Sequence, residues 1–150
     1  MIITFCGHAD FFHTKQMEKK VLSILEDVVG NRSADFYLSH YGAFDHFALH
    51  CGKLYKQSHP NISLLSITPY FPNSYRNTRI SRSCDDYDDI IYPPLEQVPY
   101  KFAISHCNQW MVRQADFIIS YINHDWGGAY QTYRYALKHK KRVLNLGTLI

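Results

Sequence analysis

The sequence predicts a single α/β domain in which about five parallel strands are covered by helices on both faces. Short apolar runs alternate with amphipathic helical segments along the whole chain, which is the pattern of a parallel sheet with helical crossovers. The chain has 150 residues, the size of one ordinary domain. Its hydrophobic content of 46% is sufficient to build one core.

The first half of the chain contains two predicted strand–helix units. The first strand is the apolar run at residues 2–5, and the helix after it has Thr14 as a candidate N-cap and Gly30 as a candidate C-cap. The second strand covers residues 36–38. Gly42 then turns the chain into a helix with a buried apolar stripe.

The second half is expected to contain three strands and two helices, separated by one long polar stretch. In chain order these segments are a strand at 62–68, the polar stretch at 69–89, a helix at 100–114, a strand at 116–122, a helix ending near His139 and a strand at 142–146. A polar stretch of that length inside a compact domain is usually functional or mobile.

Charges within the polar stretch allow two interpretations. It contains three arginines followed by four aspartates: Arg76, Arg79, Arg82, Asp85, Asp86, Asp88 and Asp89. One interpretation is a solvated loop whose charges pair with each other. The other is a lid whose arginines close over the phosphates of a ligand.

Composition and charge exclude several classes of protein. The net charge is +3, from 16 basic and 13 acidic residues with no long basic block, which argues against nucleic acid as a partner. No apolar segment approaches 18 residues, so we expect no membrane span. The four cysteines form no CxxC pair and residues 1–10 do not resemble a signal peptide, so we expect a reducing cytoplasm.

Glycines cluster where strands are predicted to end. Gly7, Gly42 and the pair Gly127-Gly128 each follow a predicted strand. In open parallel sheets the ligand crevice lies at the carboxyl ends of the strands, where helix N-termini present N–H groups to anions. A phosphate cradle and a tight turn both explain such glycines. Neither GxxxxGK[ST] nor GxGxxG is present, so a Walker nucleotidase or a conventional dinucleotide dehydrogenase is not expected.

Four segments in combination resemble the SLOG superfamily of Rossmann-like nucleotide-binding domains. They are FCGH at the first turn, SHYGAFDHFA at the second, FAISHCNQWMVRQADFIISYIN, and WGGAYQT. Within the superfamily the chain resembles an uncharacterised branch with a TGHR-like first turn. The resemblance implies one SLOG-like domain over residues 1–150, a nucleotide or nucleotide-derived ligand, and a homodimer or higher homo-oligomer.

The superfamily also contains the LOG phosphoribohydrolases, which cleave the N-glycosidic bond of nucleoside 5'-monophosphates, and the DNA-processing protein DprA. The LOG motif PGGxGTxxE is not retained. Aligned on Gly127-Gly128, its Pro, third Gly, Thr and Glu fall on Trp126, Tyr130, Gln131 and Arg134. The LOG Arg–Lys pair of the preceding helix falls on Cys107 and Asn108. An arginine cannot replace a carboxylate next to an oxocarbenium-like transition state, so cleavage by the LOG mechanism is not expected.

The function expected from the sequence is therefore nucleotide binding at the strand ends, as a sensor or as an enzyme of another type. Two alternatives stay open. One is a phosphoribohydrolase whose acid is Asp45 or Asp125, and the other is a protein-interaction module with an unused pocket. Whether the protein is an enzyme is left open, and no cofactor is expected.

Eleven residues are expected to line the ligand site: Gly7, His8, Tyr41, Gly42, Asp45, Asn108, Asn123, Trp126, Gly127, Gly128 and Tyr130. His8 could meet a phosphate or be a surface histidine. Asp45 could bind a ribose hydroxyl or complement the dipole of its helix. Trp110 could stack on a base or fill the core, and Trp126, in a loop at the strand ends, is the better candidate for stacking. No catalytic residue is assigned.

Histidines and cysteines permit two further hypotheses. His46 and His50 share one helical face with Cys51 adjacent, which would suit a metal. Cys51, however, points about 100° away from His50, and no third ligand follows, so no metal site is expected. Cys6 and Cys107 could act as nucleophiles, although a buried structural cysteine is the commoner case.

Overall fold

A six-stranded parallel sheet forms the centre of the computed structural model, which describes residues 1–70 and 86–149. Within these residues the strands are β1 Ile2–Gly7, β2 Ala34–Leu38, β3 Ile62–Ile67, β4 Asp89–Ile91, β5 Phe117–Tyr121 and β6 Val143–Asn145. The helices are α1 Lys15–Val28, α2 Ala43–Ser58, α3 Ala103–Gln114 and α4 Gly128–Lys138, and a 3-10 turn at Tyr100–Phe102 precedes α3. The strand order is β4-β3-β2-β1-β5-β6, and every neighbouring pair is parallel.

The predicted α/β fold is confirmed, with six strands instead of about five. The additional strand is β4, which pairs with β3 through Leu65 opposite Asp89. It has only three residues, and it begins at the last residue of the predicted polar stretch. A strand of that length is too short to show an alternating or apolar pattern.

Helices cover both faces of the sheet. Each strand contributes residues to both faces, because successive strand residues point to opposite sides. In β1, Ile3 and Phe5 belong to the core cluster under α1 and α2. Cys6 belongs to a second cluster with Val112 of α3 and Ala136 of α4. The four inner strands β1, β2, β3 and β5 are therefore mostly buried, which explains their largely apolar runs, whereas the edge strands β4 and β6 are partly exposed.

The strand order reverses at β1. The chain proceeds from β1 through β2 and β3 in one direction, and β5 then pairs with the free side of β1. Gly7 at the end of β1 lies opposite Tyr121 at the end of β5. In open parallel sheets such a reversal leaves a crevice between the two following loops, and this is the usual place for a ligand.

Residues 69–70 and 86–89 of the predicted polar stretch belong to the described part of the chain. Asp86 pairs with Lys53 of α2, with 2.7 Å between Oδ1 and Nζ, and Asp88 pairs with Lys56 of the same helix. Asp88 also accepts a hydrogen bond from the backbone N–H of Leu64. These acids therefore hold β4 against α2 and β3. The three arginines of the hypothetical lid, together with Asp85 and Cys84, fall among residues 71–85 and lie outside the described residues.

Across residues 1–70 and 86–149, no helix combines the length and the apolar character needed to cross a bilayer.

Candidate functional site

A cavity of about 440 Å³ opens at the carboxyl ends of β1 and β5, where the strand order reverses. Its volume falls in the range of small-molecule sites, roughly 300 to 1,000 Å³. Nine of the eleven residues proposed from the sequence line it: Gly7, His8, Tyr41, Gly42, Asp45, Asn108, Trp126, Gly127 and Gly128. The fold thus brings together the loop after β1, the start of α2, the side of α3 and the start of α4.

The other two proposed residues lie outside the lining of this cavity. Asn123 is exposed, and its side-chain oxygen accepts a hydrogen bond of 2.8 Å from Nδ1 of His124. Tyr130 is on α4, where its hydroxyl accepts a hydrogen bond of 2.8 Å from Arg134 one turn later. Both residues follow the strand end in sequence, but their side chains are engaged with neighbours in the chain.

The structure requires glycine at position 127 but not at position 128. Gly127 precedes α4 with φ at +93°, a conformation that a residue with a side chain rarely adopts, so the turn itself requires glycine. Gly128 is the first residue of α4 and has no positive φ. A Cβ atom on either glycine would meet no atom of the described residues within 4 Å. Within this part of the chain, Gly128 is therefore required neither by backbone conformation nor by packing, and the space in front of it is open.

Gly7 and Gly42 are explained by close packing. A Cβ atom on Gly7 would overlap the ring of Phe44. A Cβ atom on Gly42 would lie 2.7 Å from the Cα of Ala9. These two glycines allow the start of α2 to approach β1 and the loop after it, so neither needs a phosphate to account for it.

The N-terminus of α4 faces the cavity without a side-chain cap. Gly127 has no side chain that could accept hydrogen bonds from the first turn, and the first turn contains no acidic residue. In α1, by contrast, the Thr14 hydroxyl accepts a hydrogen bond of 3.1 Å from the N–H of Met17. The first N–H groups of a helix lack intrahelical acceptors and form the positive end of its dipole. The start of α4 can therefore accept an anion.

His8 has a buried nitrogen atom at the same cavity. The residue is only 4% exposed, and its Nε2 atom has no hydrogen-bond partner among the described residues. Its ring stacks on that of His124, with 3.5 Å between the centroids. Burial, followed by the charge of His124, lowers the pKa of His8, so the imidazole is neutral at pH 7. A buried polar atom without a partner is the kind of group that a ligand would satisfy.

Asp45 contributes both to the helix and to the cavity. Its Oδ2 atom accepts a hydrogen bond of 2.8 Å from the backbone N–H of Tyr41, at the start of α2. Burial raises the pKa of Asp45, and hydrogen bonds from Tyr41 and Ser39 lower it by less. The carboxyl group is therefore placed to complement the helix N-terminus and is also more easily protonated than an exposed aspartate.

The two tryptophans have contrasting environments. Trp126 is 65% exposed at the cavity entrance, and its indole lies 3.8 Å from the ring of His124. Trp110 is partly buried and stacks on Tyr37, with 5.7 Å between the centroids. Trp126 therefore has an aromatic face available to a ligand, whereas Trp110 packs in the core.

The described cysteines are buried free thiols. Burial raises the pKa of Cys6, Cys51 and Cys107 to about 12 in each case. A thiol with such a pKa carries almost no thiolate at neutral pH. This agrees with the structural interpretation and removes Cys6 and Cys107 as activated nucleophiles.

A second cavity, of about 920 Å³, lies between α3 and α4 and adjoins the first. The two cavities share Ile104, Asn108, Gly128 and Thr132. Among the described residues, its lining contains three cations and no acid: Lys101, Arg134 and Lys138. We call this feature the α3–α4 groove. Arg134, which occupies the position of the LOG catalytic Glu, therefore lies in the groove and not in the lining of the first cavity.

Several residues of the site were not proposed from the sequence. Thr4 and Met111 line the cavity from the interior of β1 and α3, where their types are indistinguishable from core residues. His124 also lines it. His124 could have been proposed from the sequence, because the residue follows β5 between the proposed Asn123 and Trp126.

Two solved structures resemble this chain in fold. DNA processing protein A from Helicobacter pylori matches with a TM-score of 0.63 and 15% sequence identity, over 100% of this chain and 66% of that one. DNA processing protein A (DprA) from Streptococcus pneumoniae matches with a TM-score of 0.65 and 15% identity, over 99% of this chain and 50% of that one. This chain thus spans about two thirds and half of their lengths. No family model and no curated protein matches the sequence.

The likeness supports a Rossmann-like fold and corrects one expectation. The sequence argued against nucleic acid as a partner, and that argument is wrong, because the H. pylori protein of this fold has a described single-stranded DNA binding mode. The physical reason is that net charge is a sum over the whole chain. A mild total of +3 does not reveal that cations gather along the α3–α4 groove while acids pair elsewhere.

Proposed function

We propose that the cavity at the ends of β1 and β5 binds a nucleotide through its phosphate, either as a free nucleotide or as part of single-stranded nucleic acid. The observation that carries this proposal is the uncapped start of α4 at Gly127-Gly128, which opens into a cavity that His8 also lines; the buried Nε2 atom of His8 has no partner among the described residues. A helix N-terminus and a buried hydrogen-bonding atom together provide what a phosphate needs.

The surroundings of the phosphate position suit the rest of a nucleotide. Trp126 presents an exposed indole face at the entrance, and stacking on an aromatic side chain accepts any base. Asp45 and Asn108 line the same cavity and can bind ribose hydroxyl groups. The α3–α4 groove then continues from Gly128 with three cations, which suits further phosphates of a strand.

The SLOG superfamily, and within it the branch with a TGHR-like first turn, is the family that we propose for the domain over residues 1–150. The Rossmann-like fold and its likeness to the two DNA processing proteins support the superfamily. A reducing cytoplasm agrees with the three buried free thiols. The homo-oligomer implied by the resemblance stays a prediction.

A second candidate function is cleavage of the N-glycosidic bond with Asp45 as the acid. Burial raises the pKa of Asp45, and the residue lines the cavity, as a general acid requires. Asp125, the other acid considered from the sequence, is exposed and does not line the cavity. Release of free base from nucleoside 5'-monophosphates, lost in Asp45→Asn, would establish this function.

The binding proposal is tested by thermal shift and calorimetry on the full chain. The ligands are nucleoside 5'-monophosphates, the matching nucleosides, and oligodeoxynucleotides with and without a 5'-phosphate. We expect stabilisation by the phosphorylated members of each pair, increasing as RT ln(1 + [L]/Kd). Tighter binding of the oligonucleotide than of the mononucleotide would identify a strand as the natural ligand. If no compound of the panel shifts the melting temperature, the proposal fails and an interaction module is favoured.

A further inference from the structure

A cluster of two histidines and one glutamate lies outside the cavity, between α1 and α2. Oε2 of Glu18 is 3.0 Å from Nε2 of His13 and 3.0 Å from Nε2 of His50. The three candidate ligand atoms lie within 4.8 Å of one another. None of these residues lines the nucleotide cavity or the α3–α4 groove.

The three side chains come from the loop before α1, from α1 itself and from α2. Thr14 caps α1, so His13 is the last residue of the preceding loop and Glu18 lies in the first turn of the helix. The ring of His13 packs edge-on against Phe47 of α2, with 4.9 Å between the centroids. His50 follows Phe47 by three residues and therefore lies on the same face of α2, towards α1.

We propose that His13, Glu18 and His50 bind a divalent transition metal of the Zn²⁺ type. Two imidazoles and one carboxylate form a known three-ligand set for Zn²⁺, in which water or a substrate completes the tetrahedron. Ligand atoms bound at about 2.0 to 2.1 Å in a tetrahedron lie about 3.3 Å apart. The two separations between an imidazole nitrogen and the carboxylate oxygen, 3.0 Å each, are close to that value, and the two imidazole nitrogens lie within 4.8 Å of each other.

The exposure of the cluster agrees with an open site. The side chain of Glu18 is 11% exposed, whereas those of His13 and His50 are 42% and 44% exposed. The carboxylate is therefore held in the protein, and the imidazoles reach it from the solvent side. Lys15 lies 3.7 Å from the same oxygen, but its side chain is 84% exposed and free to move into water when a cation binds.

The hydrogen bonds present without metal explain how the ligands are kept in place. Both rings direct Nε2 towards Glu18, and these hydrogen bonds lower the pKa of Glu18, so it is ionised at neutral pH. When a metal binds, each Nε2 presents its lone pair, and the ring proton resides on Nδ1. The metal takes the place of the two protons that face the carboxylate.

The cluster of His8, Asp10 and His124 at the cavity is a weaker candidate. Its three ligand atoms are also within 4.8 Å of one another. The rings of His8 and His124, however, stack face to face at an interplanar angle of 11°. In that arrangement their in-plane lone pairs cannot converge on one ion as those of His13 and His50 can, with rings inclined at 58°.

The test adds ZnCl₂ to the full chain and measures the chemical modification of each histidine separately. Imidazoles are modified with diethylpyrocarbonate with and without Zn²⁺, and the modified peptides are quantified by mass spectrometry. We expect at least fivefold protection of His13 and His50 and none of His59, which pairs with Glu26 at 2.9 Å. Protection confined to His8 and His124, or equal modification with and without Zn²⁺, would overturn the proposal.

Calorimetry with Zn²⁺ on matched variants gives the second readout. His50→Ala changes a half-exposed side chain, and the variant is expected to fold and to bind Zn²⁺ at least tenfold more weakly. His46→Ala, one turn earlier on the same helix, is the control and should retain wild-type affinity. Wild-type affinity in folded His50→Ala would place the metal elsewhere and refute the site. This result does not depend on whether the cavity binds a nucleotide.

Discussion

The imidazole of His124 is held between two rings, that of His8 at 3.5 Å and the indole of Trp126 at 3.8 Å between centroids. His8 is the buried end of this stack and Trp126 is the exposed end. The stack leads from the interior of the cavity to its entrance. A base placed against Trp126 would extend it, while the phosphate of the same nucleotide would lie near the start of α4.

Replacing Trp126 should weaken nucleotide binding. Stacking of one base on an aromatic side chain contributes about 1 to 3 kcal/mol, so Trp126→Ala should raise Kd by roughly 5- to 150-fold, and Trp126→Phe by much less. The chain has two tryptophans, so fluorescence can assign the contact. Quenching by ligand should persist in Trp110→Phe and disappear in Trp126→Phe. Quenching that survives in Trp126→Phe would show that the base lies elsewhere.

The α3–α4 groove should matter for a strand and not for a single nucleotide. We expect Arg134→Ala with Lys138→Ala to weaken binding of an oligodeoxynucleotide and to reduce the slope of log K against log salt by about 1.4, or about 0.7 for each lost phosphate contact. A mononucleotide in the first cavity should bind as before. The matched control is Lys19→Ala with Lys20→Ala on α1, whose residues line neither cavity. An unchanged salt slope in the groove variant would exclude the groove as a path for the strand.

Two substitutions of Asp45 should separate the contribution of its charge to stability from that of its hydrogen bond. Because burial raises its folded-state pKa, the ionised carboxylate costs stability as pH rises through that value. Asp45→Asn retains an oxygen that accepts from the N–H of Tyr41, so its melting temperature at pH 7 should equal or exceed that of wild type. Asp45→Ala leaves that N–H without its acceptor and should cost about 1 to 2 kcal/mol. Equal destabilisation of both variants would mean that the charge itself is needed at the start of α2.

Acidification should destabilise the protein through His40. This residue lies between the hydroxyls of Ser66 and Tyr87, and burial, followed by the charge of His46, lowers its pKa to about 4. Since the unfolded chain takes up this proton near pH 6.5, stability is lost as pH falls from about 6.5 to about 4. The free energy of unfolding should therefore fall between pH 7 and pH 4.5 by roughly 1 to 2 kcal/mol less in His40→Gln than in wild type. The exposed His139→Gln is the control, and an identical pH dependence in all three proteins would contradict the assignment.

Most of the fold was predictable because its central strands are buried on both faces. That burial makes the sequences of β1, β3 and β5 largely apolar. The start of α1 was predictable from the sequence alone, because Thr14 is a typical N-cap residue. The three-residue strand β4 was not predictable, because Asp89 pairs with Leu65 only through the tertiary arrangement. Close packing by Gly7 and Gly42 was equally hidden, since their neighbours come from other elements.

The cavity and the proposed metal site also differ in how far they could be predicted from the sequence. Residues that follow strands could be assigned to one site, because the carboxyl ends of parallel strands share an edge of the sheet. The proposed metal site joins Glu18 to His50 across 32 positions, and only the packing of α1 on α2 brings them together. Helical spacing directed attention to His46 and His50, whereas the structure pairs His50 with His13.

The most direct test of the nucleotide site is the affinity of Gly128→Val, measured by calorimetry with adenosine 5'-monophosphate and a 5'-phosphorylated oligodeoxythymidylate alongside the melting temperature. Gly128 has no positive φ and faces space that is open among residues 1–70 and 86–149, so the new side chain should occupy the phosphate position without lowering stability. Gly30→Ala, whose residue has φ at +59°, should lower the melting temperature and leave affinity unchanged. The account predicts at least a tenfold increase in Kd for folded Gly128→Val. Wild-type affinity in that variant would contradict it and remove the phosphate from the start of α4.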